Sequence, residues 1–240
     1  MENTNKIEER KRRVQGMFNA IARRYDLLNH LLSGGIDFYW RRRALSTVAD
    51  SKPRRVLDLA TGTCDFALGA SRLGAERIVG VDVAINMLRL GARKLDQDRR
   101  GEPIRLLAGD AESLPFVDAQ FDLVTVAFGV RNFGYIPAGL AEAWRVLCPG
   151  GQILILDFSE PTAPLFKQVY RFYFKHILPR VGGLISGNRK AYAYLPDSVA
   201  NFPQGKAFLA LLEGAGFSEP RAVPLTFGTC NIYWGRKPAV

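Results

Sequence analysis

Val56-Leu57-Asp58-Leu59-Ala60-Thr61-Gly62-Thr63-Cys64-Asp65 decides the fold. A short apolar run, β-branched at its start, ends in a turn of small residues and opens onto a helical pattern over 66–73. Working outward, runs of the same kind lie at 78–83, 104–110, 121–127 and 152–157. They are near-continuously apolar, as strands covered on both faces are. Helical patterns lie between them, over 84–98, where Ile85, Leu88 and Leu95 share a face, and over 136–147. The latter is expected to break into strand at Pro149-Gly150-Gly151. Strand alternating with helix implies right-handed crossovers and a Rossmann-like α/β fold with a mostly parallel sheet. The tail, 222–227 and 229–234 around Gly228, reads as two more strands closing the sheet edge, one of them antiparallel, seven in all.

Two segments fall outside that alternation. Residues 1–50 read as an N-terminal helical cap on a domain spanning 51–240. Residues 161–204 interrupt the sheet order after the fifth strand as an aromatic and basic insertion: Phe166, Tyr170, Phe172, Tyr173, Phe174, Tyr192, Tyr194 and Phe202 among Lys167, Arg171, Lys175, Arg180, Arg189 and Lys190. At the carboxyl side of the sheet such an insertion reads as a lid over a ligand crevice.

Composition narrows the function classes. The 240 residues are 48% hydrophobic and 23% charged, ordinary globular values that exclude wholesale disorder. No apolar run approaches the ~18 residues of a membrane span, and MENTNKIEERKRR is not a secretory signal. Cys64, Cys148 and Cys230 are too far apart for a disulfide framework or a paired-thiolate zinc site. With His30 and His176 as the two histidines, no catalytic metal site is expected. The expectation is a cytoplasmic protein. Lys plus Arg outnumber acids 33 to 23, and residues 1–55 alone carry 13 against 6. An excess of that kind suits an anionic partner: a nucleic acid, an acidic lipid surface or a phosphorylated substrate.

The chemistry sits at the strand ends. Gly62 lets a ligand approach the first turn closely. Asp82, 20 residues further on, ends the second strand, where a carboxylate accepts from ribose hydroxyls. Asp110, ending the third, suits an adenine amine, and with Asp58 three acids are expected to line one crevice. No Lys or Arg lies in the first turn and no G-K-[ST] is present, so the site suits an adenosine ligand with a positive charge and no phosphate.

Val56–Thr63 together with Gly80-Val81-Asp82, Gly109-Asp110-Ala111-Glu112-Ser113-Leu114-Pro115-Phe116, Phe128-Gly129-Val130-Arg131-Asn132-Phe133 and Tyr25-Asp26-Leu27-Leu28-Asn29…Leu32-Ser33-Gly34-Gly35…Trp40 resembles the ubiquinone/menaquinone biosynthesis C-methyltransferases. The resemblance runs from about Arg13 to the C-terminus and implies the class I methyltransferase fold. It implies methyl transfer from S-adenosyl-L-methionine to a ring carbon of a polyprenylated quinol. Demethylmenaquinol is the leading substrate, and the methoxy-benzoquinol of the ubiquinone route is the alternative. Cofactor contacts carry over to Thr61, Gly62, Asp82, Met87, Asp110, Ala111 and Ala127. Three departures stand out: Cys64 where the family often has glycine, Ala127 where it often has serine, and Asp37 where it has histidine.

Such a quinol becomes a carbon nucleophile when one hydroxyl loses its proton, so the site needs orientation, a proton acceptor and phenolate stabilisation, without a metal. Arg131 is read as the phenolate holder, since a guanidinium stays protonated, and Asn132 as the partner of the other oxygen. Tyr25, Asp26, His30 and Asp37 are the base candidates. A lipid-tailed substrate gives the basic, aromatic Phe38-Tyr39-Trp40-Arg41-Arg42-Arg43 and the stretch 166–175 a role at an anionic membrane, peripheral to the inner face of the plasma membrane. The latter stretch reads equally as a lid helix whose aromatics line the substrate pocket. Nucleic acid is not expected as a partner, and a homodimer is left open. An RNA methyltransferase and a catalytically inactive, cofactor-binding scaffold are the remaining alternatives.

Overall fold

The computed structural model describes residues 2–161, 163–173 and 189–239. Phe174, Lys175, His176 and Arg180, and the side chains of Phe166, Arg189, Lys190 and Tyr192, lie outside the described residues. The chain builds one seven-stranded sheet in the order β3-β2-β1-β4-β5-β7-β6. The strands are β1 (Arg55–Leu59), β2 (Arg77–Asp82), β3 (Ile104–Ala108), β4 (Phe121–Ala127), β5 (Leu147–Phe158), β6 (Ser218–Leu225) and β7 (Cys230–Arg236). Pairings among β1 to β5 are parallel, and β7 runs antiparallel to both neighbours. This is the Rossmann-like architecture that alternating strand and helix patterns imply.

Burial explains the apolar runs. β1 is buried from Val56 to Leu59, and the whole stretch Ile153–Leu156 has no exposed surface. Helices cover both faces: α3 (Asp65–Ala70), α4 (Ile85–Asp96), α5 (Ile136–Val146) and, later in the chain, α8 (Lys206–Gly214). The face predicted for α4 needs correcting. Met87, Leu88 and Gly91 are its buried residues, while Ile85 is 48% exposed. Pro149-Gly150-Gly151 also behaves differently from expectation. The helix stops earlier, at Val146, and strand begins at once. The three residues form an irregularity inside β5, where the register on β4 jumps from Leu147 to Gln152 and Gly150 takes φ 77°.

The N-terminal segment forms α1 (Glu2–Leu32) and α2 (Ile36–Ser46), joined through Gly34 and Gly35, whose φ values of 62° and 79° suit glycine. It is not a detachable cap throughout. Trp40, Ala44 and Leu45 of α2 share a core with Val56, Ile78 and Leu123. α1 instead packs Ile21 and Ala22 on Ala84 and Met87 of the α4 start. Asn19 there accepts from Asn86 N at 2.9 Å, and Gln15 donates to Val83 O at 2.6 Å. α1 therefore crosses the carboxyl ends of β1 and β2, where ligands bind in such sheets. After β5, α6 (Pro164–Phe172) and α7 (Arg189–Ala200) belong to the insertion.

Candidate active site

Two cavities open at the carboxyl edge. The first, about 240 Å³, is bounded by the ends of β1, β2 and β4, the start of α4, and α1. Gly62, Asp82, Met87, Asp110, Ala111, Ala127 and Asn132 all line it. Its floor is backbone brought close by small residues. A Cβ on Gly129 would sit 2.5 Å from the Ala60 Cβ, and Ala60, Gly62 and Phe128 all take positive φ. Non-glycine residues in that region are costly, and they persist where the surroundings hold them, which is common at functional sites.

The acids divide into two roles. Asp82 Oδ2 accepts from Gly62 N at 2.8 Å and Oδ1 from Ala84 N at 2.7 Å, so the carboxylate ties β1's turn to the α4 start. Burial pushes its pKa up against those two donors. A carboxylate has about four acceptor sites, so capacity remains for ribose hydroxyls. Asp110 accepts from Glu112 N at 2.9 Å and from Lys11 Nζ at 2.7 Å, and Lys11 also meets Glu112 at 2.9 Å. Asp58 overturns the expectation of three acids in one crevice. It is 1% exposed, accepts from the Thr61 and Thr125 hydroxyls at 2.6 Å each, and lies beneath the cavity. Burial raises its pKa to about 6. Thr61 is corrected with it: its hydroxyl turns inward to Asp58 and its N–H donates to Val81 O, so it shapes the turn and does not line the cavity.

The second cavity, about 300 Å³, is walled by α1, α2, the insertion and the loop before β7. Its surface is mostly aromatic and apolar, including Met17, Ile21, Trp40, Phe158, Tyr170, Tyr173 and Tyr194. Into this surface are set two arginine–aspartate pairs. Arg131 is 5% exposed; its Nη1 meets Asp157 Oδ1 at 2.5 Å and donates to Phe128 O at 2.6 Å. Arg41 pairs with Asp37 on α2. Each arginine keeps an Nε–H without a hydrogen-bond partner among the described residues. Their guanidiniums each sit 5.2 Å from a ring, Arg41 over Phe128 and Arg131 over Phe158, and those two rings are 4.7 Å apart.

The base candidates are brought together unevenly. Asp37 lines the second cavity, is 3% exposed, and accepts from Ser33 at 2.8 Å. His30 Nδ1 is 2.8 Å from its other oxygen, so His30 lies behind Asp37, stacked on Phe38, and does not line the cavity. Burial alone would lift the Asp37 pKa, but Arg41, Ser33 and His30 hold it below the ordinary carboxylate value. Asp26 is spent elsewhere, on Thr63 at 2.5 Å and Lys94 at 2.6 Å. Tyr25 is half-buried and lines both cavities; burial raises its phenol pKa, with Arg131 opposing. Asn132 accepts from Tyr194 OH at 3.1 Å, which links the G-V-R-N-F block to the insertion. Sequence reasoning missed Lys11, Phe18, Arg41, Asp157 and Thr226. Lys11 and Phe18 lie about two turns apart on α1, and Arg41, Asp157 and Thr226 come from three other parts of the chain, with no local motif to mark them.

Comparison with known proteins follows the same lines. Residues 4–237 match the model of the ubiE/COQ5 methyltransferase family. The chain is 49% identical over 223 residues to a demethylmenaquinone methyltransferase of Thermus thermophilus, covering 92% of this chain and 100% of the relative. It is 45% identical over 233 residues to the ubiquinone/menaquinone biosynthesis C-methyltransferase UbiE of a Geobacter species, covering 96% and 99%. Among solved structures, a SAM-dependent methyltransferase from Thermotoga maritima superposes with a TM-score of 0.66 at 19% identity, over 93% of this chain and 99% of that one. At that identity the likeness is one of fold.

Proposed function

This chain belongs to the ubiE/COQ5 methyltransferase family, and on that premise we propose that it methylates a ring carbon of demethylmenaquinol. It is an S-adenosylmethionine-dependent C-methyltransferase of menaquinone biosynthesis. One observation carries the substrate reading: a carboxylate-bearing cavity suited to a nucleoside abuts a greasy, arginine-bearing cavity suited to a quinol ring. The first fits the cofactor on its own geometry, since Asp82 and Asp110 keep acceptor capacity and the turn at Gly62 faces open space with no side chain in the way.

When bound, S-adenosylmethionine supplies an electrophilic methyl carbon and takes back the S–C electron pair as a neutral thioether. The chain's residues do the rest. In our assignment Arg131, with Arg41 across the Phe128–Phe158 stack, holds the developing phenolate, while Asn132, which lines the first cavity, acts on the second only by accepting from Tyr194 OH. Asp157 neutralises Arg131, so the pair is preorganised at little net charge. Asp37 is the carboxylate facing the second cavity; it takes the hydroxyl proton, with His30 behind it to pass the proton on. A carboxylate held below its ordinary pKa is a weak acceptor, so much of the driving force comes from the arginines. Tyr25 stays protonated and donates a hydrogen bond.

Partner and location follow from the same surface. Among the described residues, no helix is long and apolar enough to cross a membrane. Leu27, Leu31, Phe38 and Tyr39 are each more than half exposed beside the exposed Arg42 and Arg43. We assign this patch to an anionic membrane surface, where the apolar groups insert and the arginines meet headgroups.

The test is anaerobic incubation with labelled cofactor and chemically reduced demethylmenaquinone or demethylated ubiquinone precursor, followed by extraction. Label in the naphthoquinone fraction is the expected result. Label only in the benzoquinone fraction reverses the substrate order, and label in neither, with the cofactor bound, overturns the reading.

A further inference from the structure

Among the described residues, three line both cavities: Phe18, Tyr25 and Phe128. All three are aromatic, although the first cavity also offers Glu8, Asp82, Asp110 and Glu112. Its carboxylates therefore stand away from the shared wall, and the wall itself carries no anion. Phe18 and Tyr25 meet edge to face, with ring centroids 5.8 Å apart, about two turns apart on α1. Phe128 closes the other side from the end of β4, held at φ 57° with Arg41 over its ring.

Resting on the methyltransferase reading, we propose that Phe18 and Tyr25 grip the cofactor's sulfonium with their rings, while Phe128, whose ring already carries Arg41, closes the other side of the collar, so that the methyl group is what reaches the second cavity. Two physical arguments carry this. A ring face attracts a cation, most strongly where water is excluded, whereas the neutral thioether left after transfer gains nothing from it. A carboxylate at that place would bind the sulfonium more tightly, but it would repel the phenolate that must approach from the other side. Rings hold the cation without adding negative charge beside the nucleophile. The collar therefore favours the loaded cofactor over the spent one, a differential that helps product leave.

Phe18 is the residue to change, because its ring has no place in the phenolate or proton chemistry. In calorimetry on Phe18→Leu, S-adenosylmethionine should bind about five- to thirty-fold more weakly, with S-adenosylhomocysteine unchanged. Unchanged affinity for the thioether also reports a folded site. Should the leucine variant fail to fold, a series of fluorinated phenylalanines at position 18 keeps the shape. Affinity for the sulfonium then falls stepwise with fluorination and the thioether's does not. Equal losses for both nucleosides, or no loss for either, overturn the collar. If the unsubstituted chain binds neither nucleoside, the methyltransferase reading itself falls, and the collar with it.

Discussion

The two cavities are built in different ways. The first is made by backbone: strand ends, a glycine turn and carboxylates fixed by N–H groups two to twenty residues away. The second is made by side chains from distant parts of the chain, with Asp37, Arg41, Arg131, Tyr194 and Thr226 meeting around one space and Asp157 buried behind Arg131. The backbone-built site is general to a fold that binds one nucleoside. The side-chain-built site is particular, and its charges exist only as partners. The difference can be attacked by experiment, because a backbone-held group and a partner-held group fail differently.

The largest effect is expected at Arg131. Arg131→Ala strands the fully buried Asp157, and losing one partner of a buried pair costs about 3–5 kcal/mol, to be read in denaturant melts. Arg131→Lys keeps the charge but not the forked donors, so it should fold, bind the nucleoside within about twofold, and lose about 100-fold in turnover. If nucleoside affinity collapses as well, the cavities are not separate.

Asp58 comes next and belongs to the backbone-built side. Its folded pKa of about 6 lies above the ordinary 3.8. The folded state therefore binds the extra proton, and stability contributed by the protonated group is lost as pH rises from about 4 to about 6. The loss amounts to about 3 kcal/mol. Asp58→Asn should flatten that slope in pH-dependent melts; an unchanged slope would place the cause elsewhere. Slightly smaller is Asp82→Ala. Removing two charge-assisted hydrogen bonds should weaken nucleoside binding at least about 100-fold in calorimetry, with Arg131-dependent features intact.

The same division explains what could be read in the sequence. The sheet, its order of strands and helices, and Asp82 and Asp110 at strand ends were legible because each depends on a run of neighbours. Thr61 and Asp58 were misplaced because pleat alternation decides which side of a turn a residue faces, and a turn scrambles it. Ile85 was misplaced by a phase error of one helical position. Asp157 was visible only as the end of a strand, since its value lies in Arg131, 26 residues back. Lys11 reaches Asp110 from 99 residues away; nothing local announces that α1 crosses the sheet edge.

The smallest effect tests whether the first cavity is governed by backbone, as its construction implies. Cys64 caps α3 at φ 73°, a conformation that costs a non-glycine residue about 1 kcal/mol, and its sulfur fills the space beside Gly91 of α4. An added Cβ on Gly91 would strike that sulfur before anything else. Gly91→Ala should therefore destabilise by about 1–3 kcal/mol through overpacking. Cys64→Gly alone should be near neutral, because relief of the left-handed strain offsets the lost sulfur packing. The double variant should recover most of the loss, giving a coupling of about 1 kcal/mol or more in a double-mutant cycle. Because Cys64 lies two residues after Gly62, Gly91→Ala should also move nucleoside affinity a few-fold and leave the arginine pairs untouched. Additive effects would mean that the turn absorbs the push, and that the carboxylates, not the backbone beneath them, set the shape of the first cavity.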